Sequence, residues 1–343
     1  MMKWTIAAML AASSPGLASA QGASTPLFAS DAPIRMTIQG PVNLIARDAE
    51  DSTTPRAATL SLISPSETHA IRLSARGITR RLRQTCTFPP LRVDLAQPAA
   101  PNSLFAGQGR LKLVTHCRSQ DGFQQYLLLE YTSYRIFNLI SPASYRVRLA
   151  TVDYAEPNGK VSTSRWGFFI EDLDDAARRN GTTPARVGDR ILASQLDPRQ
   201  AARVALFEYM IGNLDWSMRA GPQGEGCCHN TRLIVGKGSS YVPLPYDFDY
   251  SGLVDAPYAV PPDGFSIRSV KTRVYQGYCR FNGEVLGAAA EFRSQRPAIE
   301  ALFGQIPGLS DRTRSKALAY LGEFYAQIAS DETVKTKILK NCL

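Results

Sequence analysis

The sequence predicts an α+β protein, β-rich in its first half and helical in its second, built as one large two-lobed domain or as two domains. Three observations carry this expectation. Strand-like runs crowd the first half of the chain and helical periodicities the second, segregated instead of alternating. Without its leader the chain keeps roughly 320 residues, more than an ordinary single-core domain holds. A long stretch rich in Gly and Pro, 212–264, interrupts the helical half, and ordered loops of such length are usually functional.

The chain opens with one basic residue, Lys3, an apolar run from Trp4 to Ala12, and the small residues Ala18-Ser19-Ala20. This is the layout of a secretory signal peptide cleaved after Ala20. Ser13, Ser14 and Pro15 break the run too early for an uncleaved membrane anchor, and no later segment is apolar enough to span a bilayer. The expectation is an exported protein, periplasmic or extracellular, with no transmembrane segment after cleavage. It divides into a signal peptide (1–20), a flexible N-terminus (21–33), the N-lobe with one helix (34–172) and the C-lobe (173–343).

All six cysteines, Cys86, Cys117, Cys227, Cys228, Cys279 and Cys342, follow the signal, as a disulfide framework in an oxidising compartment requires. Cys86 with Cys117 is the preferred pair, since both close strand-like runs. Metal ligation is the alternative for Cys227-Cys228-His229. The chain has 39 Lys and Arg against 30 Asp and Glu, and the leader removes only Lys3. That excess favours anionic partners. The cluster Arg76, Arg80, Arg81 and Arg83 reads as a basic surface strand, and no nucleic-acid motif accompanies it.

Strands are expected at Ala58–Ile63, Ala70–Ala75, Leu91–Leu95, Arg110–His116, Tyr145–Asp153 and Trp166–Ile170, where apolar residues alternate or run together. One helix, Tyr126–Leu139, interrupts them with Leu127, Tyr131, Tyr134 and Phe137 at helical spacing. Asp197-Pro198 opens the first helix of the second half, which stops at Gly212. Further helices are expected at Glu284–Phe303, at Asp311–Ile328 behind the cap residue Ser310, and in the tail Glu332–Leu339.

The chemistry concentrates after the Asp197 helix, in Gly212-Asn213-Leu214-Asp215-Trp216, Cys228-His229-Asn230 and Pro245-Tyr246-Asp247-Phe248-Asp249. Asp215, Asn230, Asp247 and Asp249 offer three carboxylates and an amide, the hard oxygen ligands that Mg²⁺ or Mn²⁺ takes when it also holds phosphates. Upstream, Glu130 lies within the apolar spacing of its helix, where an unpaired carboxylate is costly, so it calls for a cation. Arg135 on the same helix is poorly placed for it, which favours a distant residue such as Lys112 on its strand. Each has a plainer reading: loop aspartates cap turns, a strand lysine can simply face solvent, and His116 and His229 read as structural.

Phosphoryl transfer uses a Lys paired with a Glu, an acidic residue at the acceptor hydroxyl, and an Asn and an Asp on metal. Strand Lys112, helix Glu130, loop Asp215, loop Asn230 and Asp247-Phe248-Asp249 follow that order. On these motifs the chain resembles the CotH-type secreted or spore-coat kinases and, more distantly, HipA-type kinases. Ile71-Arg72-Leu73-Ser74-Ala75-Arg76-Gly77 is similar to their arginine-glycine element, and Trp166-Gly167-Phe168-Phe169-Ile170-Glu171-Asp172 to the strand before their inter-lobe hinge. The resemblance implies a two-lobed atypical protein-kinase-like fold. It implies nucleotide contacts from Lys112, Glu130, Arg76 and Glu171, an acceptor-orienting Asp215, and metal ligands Asn230, Asp247 and Asp249. It implies ATP and Mg²⁺ or Mn²⁺ as cofactors and a hydroxyl-bearing protein, lipid or glycan as acceptor. Two departures stand out: no Gly-x-Gly-x-x-Gly loop is present, and Asp215 and Asn230 lie fifteen residues apart, with an insertion at Arg219–Gly226.

An inactive kinase-fold binding or structural protein of the cell envelope is the competing reading, since ATP is scarce outside the cytoplasm. A metal-dependent hydrolase is a third, although only His69, His116 and His229 are available as the histidine ligands such sites often use.

Overall fold

The computed structural model describes residues 22–343; the signal peptide and its cleavage position lie outside the described residues. The segment expected to be a flexible N-terminus places Leu27 and Phe28 in the core of the strand-rich half.

Seven strands follow, β1 (Ile34–Gln39), β2 (Arg56–Leu62), β3 (Glu67–Ala75), β4 (Leu91–Leu95), β5 (Arg110–Val114), β6 (Val147–Ala155) and β7 (Val161–Ile170). A short helix, α1 (Val42–Arg47), follows β1, and a long one, α2 (Gly122–Ile140), follows β5. The expected two-lobed kinase-like fold is overturned here, because the strands close into a barrel in the order β1-β2-β3-β4-β5-β7-β6. Closure comes from β1, which pairs antiparallel with β2 on one side and parallel with β6 on the other, Ile34 beside Ala150 through Gln39 beside Ala155. A closed sheet has no edge left to cover.

The barrel interior follows from alternation. Ile34, Met36 and Ile38 of β1 point inward, as do Leu60 and Leu62, Ile71 and Leu73, Leu91 and Val93, Leu111 and Leu113, and Val152 and Tyr154. These side chains fill the space, so the barrel is a packed core and not a ligand cup.

The second half comprises α3 (Leu173–Arg179), α4 (Pro198–Ile211), a two-stranded hairpin of β8 (Thr231–Val235) and β9 (Tyr241–Pro245), and then α5 (Asn282–Gln305) and α6 (Asp311–Gln327). Asp197 caps α4 by accepting from the Gln200 N–H, Pro198 occupies its first turn, and Gly212 ends it in the left-handed conformation. Ser310 caps α6 through the Thr313 N–H. α4 is buried along nearly its whole length, from Ala201 to Ile211, and α2 and α5 pack around it. α2 also lies against β6 and β7, so it joins barrel and helices. The expected tail helix is broken into short turns, 331–341.

The six cysteines form three disulfides: Cys86–Cys117, the pair expected, Cys279–Cys342, and the adjacent pair Cys227–Cys228. The last bond removes the thiolates that metal ligation at Cys227-Cys228-His229 needs. No helix among the described residues is long and apolar enough to cross a membrane.

Candidate functional site

A cleft of about 540 Å³ opens where the end of β3, β5 and the loops of the helical half meet. Arg76, Lys112, Asp215, Asn230, Asp247 and Asp249 all line it. Six of the eight residues singled out from sequence therefore converge, although up to 173 positions separate them. A larger depression of about 740 Å³, around Arg72, Asp94 and Asp172, lies elsewhere and contains none of them.

Asp215 is fixed by the turn that follows α4. The Asn213 N–H reaches back to the Glu208 carbonyl at 2.8 Å, and its side-chain oxygen accepts from the Asp215 N–H at 3.1 Å. The Trp216 indole N–H donates to the Asn213 carbonyl at 3.0 Å, anchoring the turn in the core. The insertion that follows loops out and returns. The Ser217 N–H donates to His229 O, the His229 N–H donates to Ala220 O, and Asp189 accepts from the N–H groups of Gly224 and Gly226. Fifteen residues after Asp215, Asn230 is thus delivered beside it, and its amide N–H₂ donates to Asp215 Oδ2 at 3.0 Å.

His229 Nε2 meets Asp215 Oδ1 at 2.7 Å. That hydrogen bond raises the imidazole pKa above its usual value against partial burial. Asp215 thus has both carboxylate oxygens held, one by His229 and one by Asn230. No described residue donates to the amide oxygen of Asn230.

Asp247 and Asp249 flank Phe248, which is fully buried between Tyr134 of α2 at 4.5 Å and Phe207 of α4 at 5.2 Å, centroid to centroid. The Asp247 N–H donates to the Tyr134 hydroxyl at 2.9 Å. Packing and hydrogen bond together turn Asp247 toward the cleft, where its side chain is 38% exposed. Both Asn230 (φ 46°) and Asp247 (φ 66°) have left-handed backbones, which Asn and Asp tolerate better than most residues.

Lys112 does not pair with Glu130. The cation that the buried Glu130 requires is Arg80, whose Nη1 lies 3.2 Å from Glu130 Oε2. The same guanidinium reaches Asp249 Oδ2 through Nε at 3.3 Å and Asp247 Oδ1 through Nη2 at 3.6 Å. Burial pushes the carboxyls of Glu130 and Asp249 upward, and Arg80 opposes the shift in both. Asp249 Oδ2 also accepts from the Tyr258 hydroxyl at 3.0 Å, so the oxygen of this expected metal ligand that meets Arg80 is shared with a second protein donor.

Freed from Glu130, Lys112 lies over the Tyr246 ring at 5.2 Å, with the Arg232 guanidinium 5.4 Å from the same ring. Its tip reaches the cleft, yet protein surrounds the rest of the chain. Burial first, and then the neighbouring Arg76, lower its pKa to about 8. Glu171 is not brought to the cleft. Arg179 holds both of its oxygens, at 3.1 and 2.9 Å, and the Arg146 N–H donates to it at 2.9 Å.

Sequence reasoning missed Arg80, His229, Arg232 and Tyr246. For Arg80 the signal was present, because Glu130 demanded a distant cation; the arginine cluster was read as solvated, yet Arg80 is 8% exposed. For His229 the pointers were its place beside Asn230 and in Cys227-Cys228-His229, which suggested metal ligation and not a hydrogen bond to Asp215.

The site thus gathers basic side chains around Tyr246 with a carboxylate whose two oxygens are fixed, beside a second carboxylate open to the cleft. No protein-family model matches the chain, and no curated protein matches it.

Proposed function

We propose that the chain is a phosphotransferase that moves the γ-phosphate of ATP, or a similar nucleoside triphosphate, to a hydroxyl acceptor. The observation that carries this is the convergence of Arg76, Lys112 and Arg232 with Asp215, Asn230 and Asp247 in one cleft. A triphosphate needs cations along its length and, beyond its terminal phosphorus, a base for the incoming hydroxyl. Lys112 supports the first role: an ammonium held near other cations is stabilised by a bound polyanion. Asp215 supports the second, since His229 and Asn230 hold its two oxygens and so fix its orientation toward an acceptor hydroxyl.

The donor set fits a hard divalent cation: Asp247 presents an exposed carboxylate and Asn230 an amide oxygen, the small protein share that Mg²⁺ or Mn²⁺ takes when phosphates complete its shell. Such an ion supplies charge neutralisation on the transferring phosphoryl group. The reading rests on the cleft and not on a kinase fold. Three disulfides favour a setting outside the cytoplasm, where the acceptor would be a protein, lipid or glycan hydroxyl.

One observation favours a second reading, a ligand-binding protein of the envelope without turnover: the Arg80 guanidinium already sits among carboxylates that a metal-dependent reaction would use. Label release from γ-labelled ATP with Mg²⁺ or Mn²⁺ separates the two. The phosphotransferase reading expects label on an acceptor or on the protein itself, slowed about 10²- to 10⁴-fold in Asp215→Asn. Nucleotide binding without any label movement supports the second reading, and equal rates in wild type and Asp215→Asn contradict the role of Asp215.

A further inference from the structure

We propose that a groove between the first turns of α2 and α6 binds a small amphiphilic anion, one alkyl chain ending in an anionic headgroup. The groove encloses about 650 Å³ and shares no lining residue with the cleft described above. That volume lies within the roughly 300–1,000 Å³ of small-molecule sites. Sixteen residues line it, fewer than the roughly 20–30 that each side of a stable protein interface contributes.

Its floor is apolar. Leu129 of α2, Leu253 and Val254 of the segment after Asp249, and Ala317 of α6 line it, none more than 5% exposed. Half-buried Tyr126 and Tyr320 flank them. The walls are held together by Gln125, whose Nε2 donates to the Gly308 carbonyl at 2.9 Å and whose Oε1 accepts from the Ser310 N–H at 2.9 Å. This clamp fixes the start of α6 on α2, so Gly122 and Thr313, in the first turns of the two helices, both border the groove. Two positive dipole ends therefore lie beside one space.

The side-chain charges favour the same sign. Arg312 and Lys316 line the groove one helical turn apart on α6, and the surrounding carboxylates are already engaged. Asp255 pairs with Lys271, Glu323 with Arg273 at 3.1 Å, Asp311 with Arg314, and Asp121 with Arg165 at 3.9 Å. Among the described residues Arg312 and Lys316 thus stand without an acidic partner. Unpaired cations above an apolar floor match a ligand with both an anionic head and an alkyl body; a bare anion leaves the floor uncovered, and a neutral chain leaves the cations unmet.

Calorimetric titration of the mature protein with decanoate, kept below the concentration at which it forms micelles, tests this without nucleotide. Wild type should bind decanoate with a dissociation constant of roughly 10–100 μM, decanol at least about tenfold more weakly, and acetate not measurably. Arg312→Glu combined with Lys316→Glu, both on the exposed side of α6, should weaken decanoate at least about tenfold and leave decanol unchanged. Ala319→Trp, at an exposed position of the groove, should block both chains while keeping the melting temperature of wild type. No binding of decanoate to wild type overturns the proposal. So do equal affinities for decanoate and decanol, or decanoate binding that Ala319→Trp leaves intact. An acidic helical peptide that binds where decanoate fails would give the groove to a protein partner instead and overturn it too.

Discussion

Lys112 carries its charge among other cations, and its folded pKa of about 8 lies below the ordinary 10.5. Below pH 8 the folded and unfolded states both hold the proton, and the folded state bears the full cost of a buried ammonium. Between pH 8 and 10.5 the folded state has released a proton that the unfolded state keeps, so stability rises with pH across that window. Anion binding has the opposite sign, because a neutral amine offers a triphosphate no charge. Lys112→Met should therefore stabilise the free protein at pH 7 by on the order of 2 kcal/mol in denaturant unfolding. The same variant should lose the part of triphosphate affinity that falls as pH rises through 8 in calorimetric titration. Unchanged stability together with unchanged affinity would remove Lys112 from the site. At this scale the sequence was informative about need and silent about partner. Glu130 on an apolar helix face demanded a cation, but which cation arrives depends on where the turn after β3 lands, and neither Arg80 nor Lys112 advertises that locally.

The C-terminal end of α4 sets the approach to Asp215. Gly212 has φ +66°, and a Cβ there would stand 2.0 Å from the Tyr320 hydroxyl oxygen. Gly212→Ala should cost about 1–3 kcal/mol in thermal or denaturant unfolding, from left-handed strain and from displacing Tyr320. Because Asn213 and Asp215 follow directly, the variant should also weaken nucleotide binding; a melting temperature equal to wild type would contradict this account of the turn. Helices of this half were legible because their boundaries carry chemistry, as at Asp197-Pro198, Gly212 and Ser310. The β8–β9 hairpin was not. Tyr241-Val242-Pro243-Leu244-Pro245 contains two prolines, which argue against a central strand, and only a two-stranded ribbon with an open side accepts them. Inside a Gly- and Pro-rich stretch, that hairpin reads as loop, yet it carries Asn230 in and Asp247 out.

Across the whole molecule, α2 is the strut that ties the cleft together. Its Glu130 meets Arg80 from the turn after β3, and its Tyr134 holds both the Asp247 N–H and the Phe248 ring. The strand-rich first half and helix-rich second half were visible as composition. Barrel closure was not, since the parallel pairing of β1 with β6 joins Ile34 to Ala150 across 116 positions, and no local pattern marks a strand's second partner. Convergence of distant motifs on one cleft is the central claim, and ligand-dependent thermal unfolding tests it most directly, since a ligand that binds only the folded state raises its melting temperature. Asp247→Asn is the right comparison, because Asn keeps the shape and tolerates the left-handed backbone while removing the charge. The account predicts that ATP with Mg²⁺ or Mn²⁺ stabilises wild type by several degrees, more than either component alone, and that Asp247→Asn loses the metal-dependent part. Millimolar nucleotide and metal that leave the wild-type melting temperature unmoved would contradict it.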